Sequence, residues 1–235
     1  MAMNDTLSQP ITGISSMATR NLLAELVEEY ARRVGERVAI ESVGGVAAAR
    51  RVQEGEPFDI VVLAADAIER LAADGRIVPG SRVDLARSGV AIAVAAGAPR
   101  PDISTAAALR EAVLAARNVG YSTGPSGTQL MLLFERWGIA ETLAPRLVQA
   151  PPGVPVGTLI ARGEVELGFQ QLSELMHLPG IDVIGALPAD VQIVTVFSAA
   201  VCAASEQREA AQALLAFLAS PEAARAKLDH GMEPV

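Results

Sequence analysis

Along the first half of the chain the apolar positions switch between two patterns. Short continuous runs alternate with stripes at helical spacing, and turns of small polar residues separate the two. Ile11 to Ile14 is the first run and Ser15-Ser16 its turn; Leu22, Leu23, Leu26, Val27 and Tyr30 then share one helical stripe that closes near Gly35. The unit recurs, with Val38 to Val43 as a strand, Gly44-Gly45 as its turn and Val46 to Glu54 as a short helix. Phe58 to Leu63 is largely apolar, as a strand covered on both faces is, and Asp66 stands where an N-cap for helix Ala67 to Ala73 belongs. Repeated strand, turn and helix predict right-handed crossovers and a mostly parallel sheet, hence an α/β chain.

Gly89 to Ala96 predicts a further strand, and Pro99 and Pro101 then mark a passage into a second series. That series reads as helix Thr105 to Ala116, strand Val119 to Ser122, turn Gly124 to Gly127 and helix Thr128 to Trp137, with Leu133, Phe134 and Trp137 as core. After a stiff loop through Pro151, Pro152 and Pro155 come helix Val156 to Arg162 and strand Leu167 to Gln170. Gln192 to Ala199 is strand-like. Two closing helices, Glu206 to Leu218 and Pro221 to His230, are expected to be capped by Ser205 and Ser220, with Pro221 at the first helical position.

Composition narrows the functional classes. The chain has 235 residues, 51% hydrophobic and 20% charged, with a net charge of −8, the profile of a globular protein large enough for one big domain or two lobes. The single Cys202 excludes an internal disulfide, and no Cys/His spacing fits a zinc site, so no metal is expected. The longest apolar run, Val90 to Ala96, is too short to insert in a membrane. An acidic balance and few aromatic residues argue against nucleic acid as a partner. There is no phosphate loop ending in Gly-Lys-Ser/Thr and no dinucleotide fingerprint, so no cofactor is expected. The opening residues lack the cationic start and apolar stretch of a secretion leader, so the sequence as it stands reads as cytoplasmic; a leader removed beforehand would make it periplasmic.

Four strand-to-helix turns carry hydroxyl or glycine residues at the helix start: Ser15-Ser16, Gly44-Gly45, Gly124-Pro125-Ser126-Gly127-Thr128, and Gly153 to Thr158. In an open α/β sheet such turns gather at the carboxyl ends of the strands, where unpaired helix N–H groups favour an anion without any lysine or arginine. Gln170 and Gln171 end a buried strand and can donate while neutral. Ser126 fails the nucleophile-elbow pattern because Thr128 stands where glycine is needed. The titratable residues near these turns are Asp66, Glu174 and His177, weak candidates for a catalytic base; Arg20 and Arg50 are the nearest cations.

Phe58 to Asp66, the Gly-Ile-Ser-Ser opening at Gly13 to Ser16, Gly163 to Gly168, and Ala216 to Ala224 together resemble the molybdate-binding solute receptors of ABC importers, a family that aconitate isomerase also resembles. The resemblance runs from about Ile11 to Val235. It implies a class II periplasmic-binding-protein fold, two α/β lobes joined by two crossing hinge strands, with residues 1–87 and 196–235 in one lobe and residues 88–195 in the other. It implies ligand contacts at Ser15, Ser16, Gly44, Gly45, Ser126, Gly127, Thr128, Val154, Pro155, Val156, Gln170 and Gln171, and closure of the lobes over the ligand. The chain departs from the family where Gly44-Gly45-Val46 replaces Ser-Ser-Gly and where Gln170-Gln171 replaces a tyrosine, changes that leave room for an organic acid. The expected function is a monomeric ABC-type solute-binding protein for a small anion, an oxyanion or a carboxylate, with an ABC permease as the partner the resemblance implies. The alternative is an aconitate-isomerase-like enzyme that moves a proton on a tricarboxylate.

Overall fold

The computed structural model describes residues 9–235. The chain divides into two compact units: the first runs up to Leu85 and resumes over Phe197–Lys227, and the second comprises Ala86–Val196 and Leu228–Val235.

In the first unit, β1 (Ile11–Ser16) leads through a 3₁₀ turn into α1 (Arg20–Val34), followed by β2 (Val38–Val43), α2 (Gly45–Gln53), β3 (Ile60–Ala64) and α3 (Ala65–Ala73). The long β4 (Val83–Ala95) carries the chain into the second unit. There follow α4 (Ala106–Ala115), β5 (Val119–Tyr121), α5 (Pro125–Arg136), α6 (Ala140–Leu143), β6 (Leu147–Gln149), α7 (Val156–Ala161), β7 (Leu167–Gln171), α8 (Leu172–Leu175) and β8 (Ile181–Ala186). The chain returns on β9 (Val194–Val201) and ends with α9 (Arg208–Ala219), α10 (Ala224–Asp229) and β10 (Glu233–Pro234).

The first unit's sheet has β1 parallel to both β2 and β3, with β9 antiparallel beside β3. Every residue of β3 is buried, as its continuous apolar character requires of a strand covered on both faces. Val61, Leu63, Ile68 and Leu71 pack in one cluster with Ile14, Ala48 and Val52. On α1 the striped residues Leu22, Leu23, Leu26 and Tyr30 are buried, and the Tyr30 and Phe217 rings lie 5.4 Å apart. At Gly13 an added Cβ would fall 2.7 Å from Ile60 Cγ1, so only glycine lets β1 lie against β3 here.

The second unit repeats the plan. Here β5 is parallel to β6 and β7, while β4 runs antiparallel to β7, β8 and β10. Leu133 and Phe134 are core, as their spacing predicts, and Trp137 packs against the same cluster. Phe134 meets Phe169 of β7 edge-on at 6.2 Å.

Several boundaries differ from the sequence pattern. The helix expected from Thr128 begins at Pro125, because proline is pre-set for the first helical position and extended Gly124 caps it. The strand expected from Gly89 begins at Val83. The helix expected from Pro221 begins as a 3₁₀ turn, with no side-chain cap from Ser220. Ser205 does not cap α9 directly; its Oγ accepts the N–H of Gln207, the residue at the cap, and donates to Asp59. Strand β8 went unpredicted because its residues are half-buried and interrupted by Asp182 and Gly185. Leu228–Val235, expected with the first lobe, groups with the second unit, where Glu233 and Pro234 pair with Arg87 and Ala86.

Candidate functional site

In the first unit the candidate residues gather at the carboxyl ends of β1 and β2. The parallel register sets Ser15 opposite Ser42, and their Oγ atoms lie 2.8 Å apart. Ser15 is fully buried and also donates to the Ser16 carbonyl at 3.3 Å, so its hydroxyl is engaged within the fold. Ser16 differs. It is 7% exposed, and its Oγ is buried without a hydrogen-bond partner among the described residues. A Cβ on Gly45 would sit 3.6 Å from Ser16 Cβ, so α2 opens directly against this hydroxyl, and Gly44 caps that helix with no side chain. The turn therefore presents a free hydroxyl beside a helix start.

Asp66 is neither cap nor buried base. The N-cap of α3 is Ala64, one residue before the helix, and Asp66 lies exposed in the first turn, paired with Arg70 at 2.9 Å. The helix starts early because Ala64 and Ala65 continue directly from β3, which turns Asp66 outward. Arg20 is exposed, and Arg50 is an exposed partner of Glu54 at 3.7 Å.

In the second unit the helices after β5 and β6 and the short α8 after β7 all begin at the same edge of a parallel sheet, the edge where α/β folds hold ligands. Ser126 and Gly127 are buried in the first turn of α5, where Ser126 Oγ lies 3.1 Å from Ser122 Oγ. A Cβ on Gly127 would fall 1.9 Å from the Ser122 carbonyl oxygen, so glycine is required for the helix to start there. Thr128 is exposed, and its N–H closes the helical bond to Gly124 at 3.2 Å.

Val154 and Val156 contrast with the free-donor expectation. The Val154 N–H donates to the Pro151 carbonyl at 3.0 Å, and the Val156 N–H donates to Gln170 Oε1 at 2.7 Å; Pro155, the cap of α7, has no N–H to give. Gln170 and Gln171 are each 3% exposed. Gln170 Nε2 donates to Glu174 Oε1 at 2.8 Å, and Gln171 Nε2 donates to Thr195 Oγ1 at 2.7 Å. Gln171 Oε1 and the neighbouring Ser173 Oγ are buried without hydrogen-bond partners among the described residues.

Glu174 is the electrostatic centre of this corner. Burial pushes its carboxyl up to about 7, against the pull of the Gln170 N–H. Part of the side chain's area reaches the surface, yet protein encloses it closely enough for desolvation to dominate. His177 is exposed just beyond α8, with its ring edge-on to His230 at 5.7 Å. Cys202 is an inert buried thiol, pushed up to about 12 by desolvation and by Asp59. Among the described residues, no group of three or more His, Cys, Asp or Glu could hold a metal ion, and no helix is long and apolar enough to cross a membrane.

Residues 11–233 match the family model of bacterial extracellular solute-binding proteins. The chain belongs to this family. An aconitate isomerase of Pseudomonas sp. is 38% identical over 237 residues, spanning 97% of this chain and 90% of that protein. The solute-binding protein also superposes on the periplasmic molybdate-binding protein of Azotobacter vinelandii, with a TM-score of 0.79 at 19% identity over 94% of this chain and 98% of the other. The sulfate-binding protein of Mycobacterium tuberculosis superposes with a TM-score of 0.77 at 17% identity, over 97% and 87%. At these identities the two structures show a shared fold, that of periplasmic binding proteins.

Three further residues of this solute-binding protein join or border the candidate site: Ser42, which engages Ser15; Thr195, which orients Gln171; and Ser173, beside Glu174. Ser42 was legible in principle, since it lies two residues before the Gly44-Gly45 turn of a strand paired with β1. The approach of Thr195 to Gln171 spans 24 positions, and nothing local signals it.

Proposed function

We propose that this solute-binding protein takes a small organic carboxylate, held by neutral donors at the ends of its parallel strands. The observation that carries the reading is the set of buried polar atoms left without partners at those ends: Ser16 Oγ in the first unit, and Gln171 Oε1 and Ser173 Oγ in the second. Such atoms are rare in a finished fold, because each forgoes hydrogen bonds it made to water. A hydroxyl can turn its hydrogen toward an anion, and amide and hydroxyl oxygens can accept from a ligand hydroxyl or acid group. Delivery of that ligand to an ABC permease is the transport form of this reading.

A thermal-shift panel on dialysed protein tests it, with citrate, both aconitates and simple dicarboxylates set against molybdate, tungstate and sulfate. At a hundred times its dissociation constant a ligand adds about 2.7 kcal/mol, a shift of several degrees for a chain of this size. A response to carboxylates is expected; a response to the metal oxyanions alone would replace the carboxylate with an oxyanion.

A second reading, turnover, is favoured by Glu174, whose carboxyl is pushed up to about 7, and by the aconitate isomerase that shares 38% of its residues with this chain. A carboxyl with that affinity can take a proton from the methylene carbon of a tricarboxylate and return it to the far end of the resulting allylic anion, with no net gain or loss of protons. Direct assay of cis- and trans-aconitate interconversion decides it: turnover that is lost in Glu174→Gln supports the reading, and its absence from the unmodified protein leaves binding alone.

A further inference from the structure

We propose that Gln170 and Glu174 form a selector, in which a protonated Glu174 donates to the ligand's carboxylate while the site turns away fully ionised tetrahedral oxyanions. This rests on the reading of the chain as a binder of small carboxylates and adds what decides among anions.

The geometry fixes the direction of every hydrogen bond. Gln170 Oε1 accepts from the Val156 N–H, so the amide cannot be flipped without setting two donors face to face. Its Nε2 is thereby aimed at Glu174 Oε1, 2.8 Å away. Two consequences follow. The first N–H of α7 is spent on Gln170 and is withdrawn from any anion, and one N–H of Gln170 is spent on Glu174. Both of these donors are thereby withdrawn from a tetrahedral dianion, whose four oxygens call for several at once.

The second oxygen of Glu174 makes no hydrogen bond to protein among the described residues, and the side chain is partly exposed. When protonated, that oxygen offers its O–H to a ligand carboxylate while the carbonyl oxygen keeps the Gln170 bond. When ionised, it confronts the ligand with a like charge in a poorly solvated place. Among the described residues, no cation offsets its desolvation. Helix α8 packs on β7 and α7; β7 carries no charged side chain, and α7 is followed by Arg162. Asp182 lies in β8, His177 follows α8, and His230 and Glu233 come from the C-terminal segment that reaches Leu172 and Met176 at Gly231. None of these moves the Glu174 titration, which burial and Gln170 set between them.

Calorimetric binding of citrate, succinate, sulfate and molybdate between about pH 6 and pH 8 tests the selector. Carboxylate affinity is expected to fall toward tenfold per pH unit once Glu174 ionises, since one proton is linked to binding. Glu174→Gln, whose amide donates at every pH, flattens that curve, and Gln170→Ala, which frees the Val156 N–H, shifts preference toward sulfate and molybdate. Isotope-edited infrared titration of the ligand-free wild type, with Glu174→Gln as the reference, reads the carboxylic acid band directly and needs no variant to bind. Carboxylate binding without pH dependence, sulfate or molybdate bound as tightly as the carboxylates, or a Glu174 already fully ionised at pH 6 each overturns the selector alone. Failure of every anion to bind overturns the carboxylate reading and the selector with it.

Discussion

Ser205 Oγ donates to Asp59 Oδ1 at 2.7 Å, tying the segment that opens α9 to the start of β3 across 146 positions of the chain. The same carboxylate accepts from Thr12 N at 2.8 Å, Thr12 Oγ1 at 3.0 Å and Gln207 Nε2 at 3.3 Å. One buried side chain thus joins β1, β3 and the return segment. Truncating it strands several buried donors at once, so Asp59→Ala is expected to destabilise the protein by about 3–5 kcal/mol. Urea denaturation followed by circular dichroism checks this; a loss under 1 kcal/mol would show that Asp59 does not anchor these segments.

Ser15 and Ser16 are adjacent but are expected to respond differently. Ser15→Ala breaks a hydrogen bond with Ser42 inside the fold and should lower stability by about 1 kcal/mol, non-additively with Ser42→Ala. Ser16→Ala removes a hydroxyl with no hydrogen-bond partner among the described residues, so it should leave the melting temperature almost unchanged and weaken carboxylate binding by about 0.5–1.5 kcal/mol. Equal effects of the two variants on binding would contradict the division.

Glu174 links stability to pH. Its carboxyl is raised in the folded protein from 4.5 to about 7, so the folded state holds its proton more tightly than the unfolded chain does. The associated stability is fully present below about pH 4.5 and is lost as pH rises through 7, by roughly 3 kcal/mol at most. Glu174→Gln should remove this decline. The slope of unfolding free energy against pH, compared between the two proteins, is the measurement.

Lys227 is the chain's only lysine and is 2% exposed, and among the described residues no carboxylate lies within ion-pair range of it. Desolvation holds its ammonium below the usual lysine range. An unpaired cation in such a place works against folding, so Lys227→Met is expected to raise the melting temperature. A lower melting temperature would show that the ammonium serves the fold.

Much of the fold was legible because hydrophobic period is a local property. The continuous run before Ala64, the stripe of α1 and the Leu133-Phe134 pair all lie where their spacing predicts, since each buries against whatever neighbour the sheet supplies. Segments whose apolar signal was weak went unread. Strand β8 is half-buried along its length, and β10 exists only because β4 offers it a partner.

The candidate site was legible as a set of turns and illegible as a set of donors. Residue type and position relative to a strand end placed Ser16, Gly45, Ser126 and Gln170 at the strand ends and helix starts where the structure has them. Which hydroxyl or amide stays free depends on partners far away in sequence: Ser42 engages Ser15, Gln170 consumes the Val156 N–H, and Arg70 holds Asp66 on the surface.

By itself the sequence determined an α/β chain of repeated strand, turn and helix, with small turn residues between each strand and the helix that follows it. These follow from alternation, helical spacing and the space a side chain needs, all of which act over a few residues. Only the tertiary structure decided how far the Glu174 carboxyl is desolvated, and with it how tightly the folded protein holds its proton. Desolvation and hydrogen-bond direction are set by every atom packed around a group, and the elements around Glu174 come from stretches of chain that carry no sign of one another.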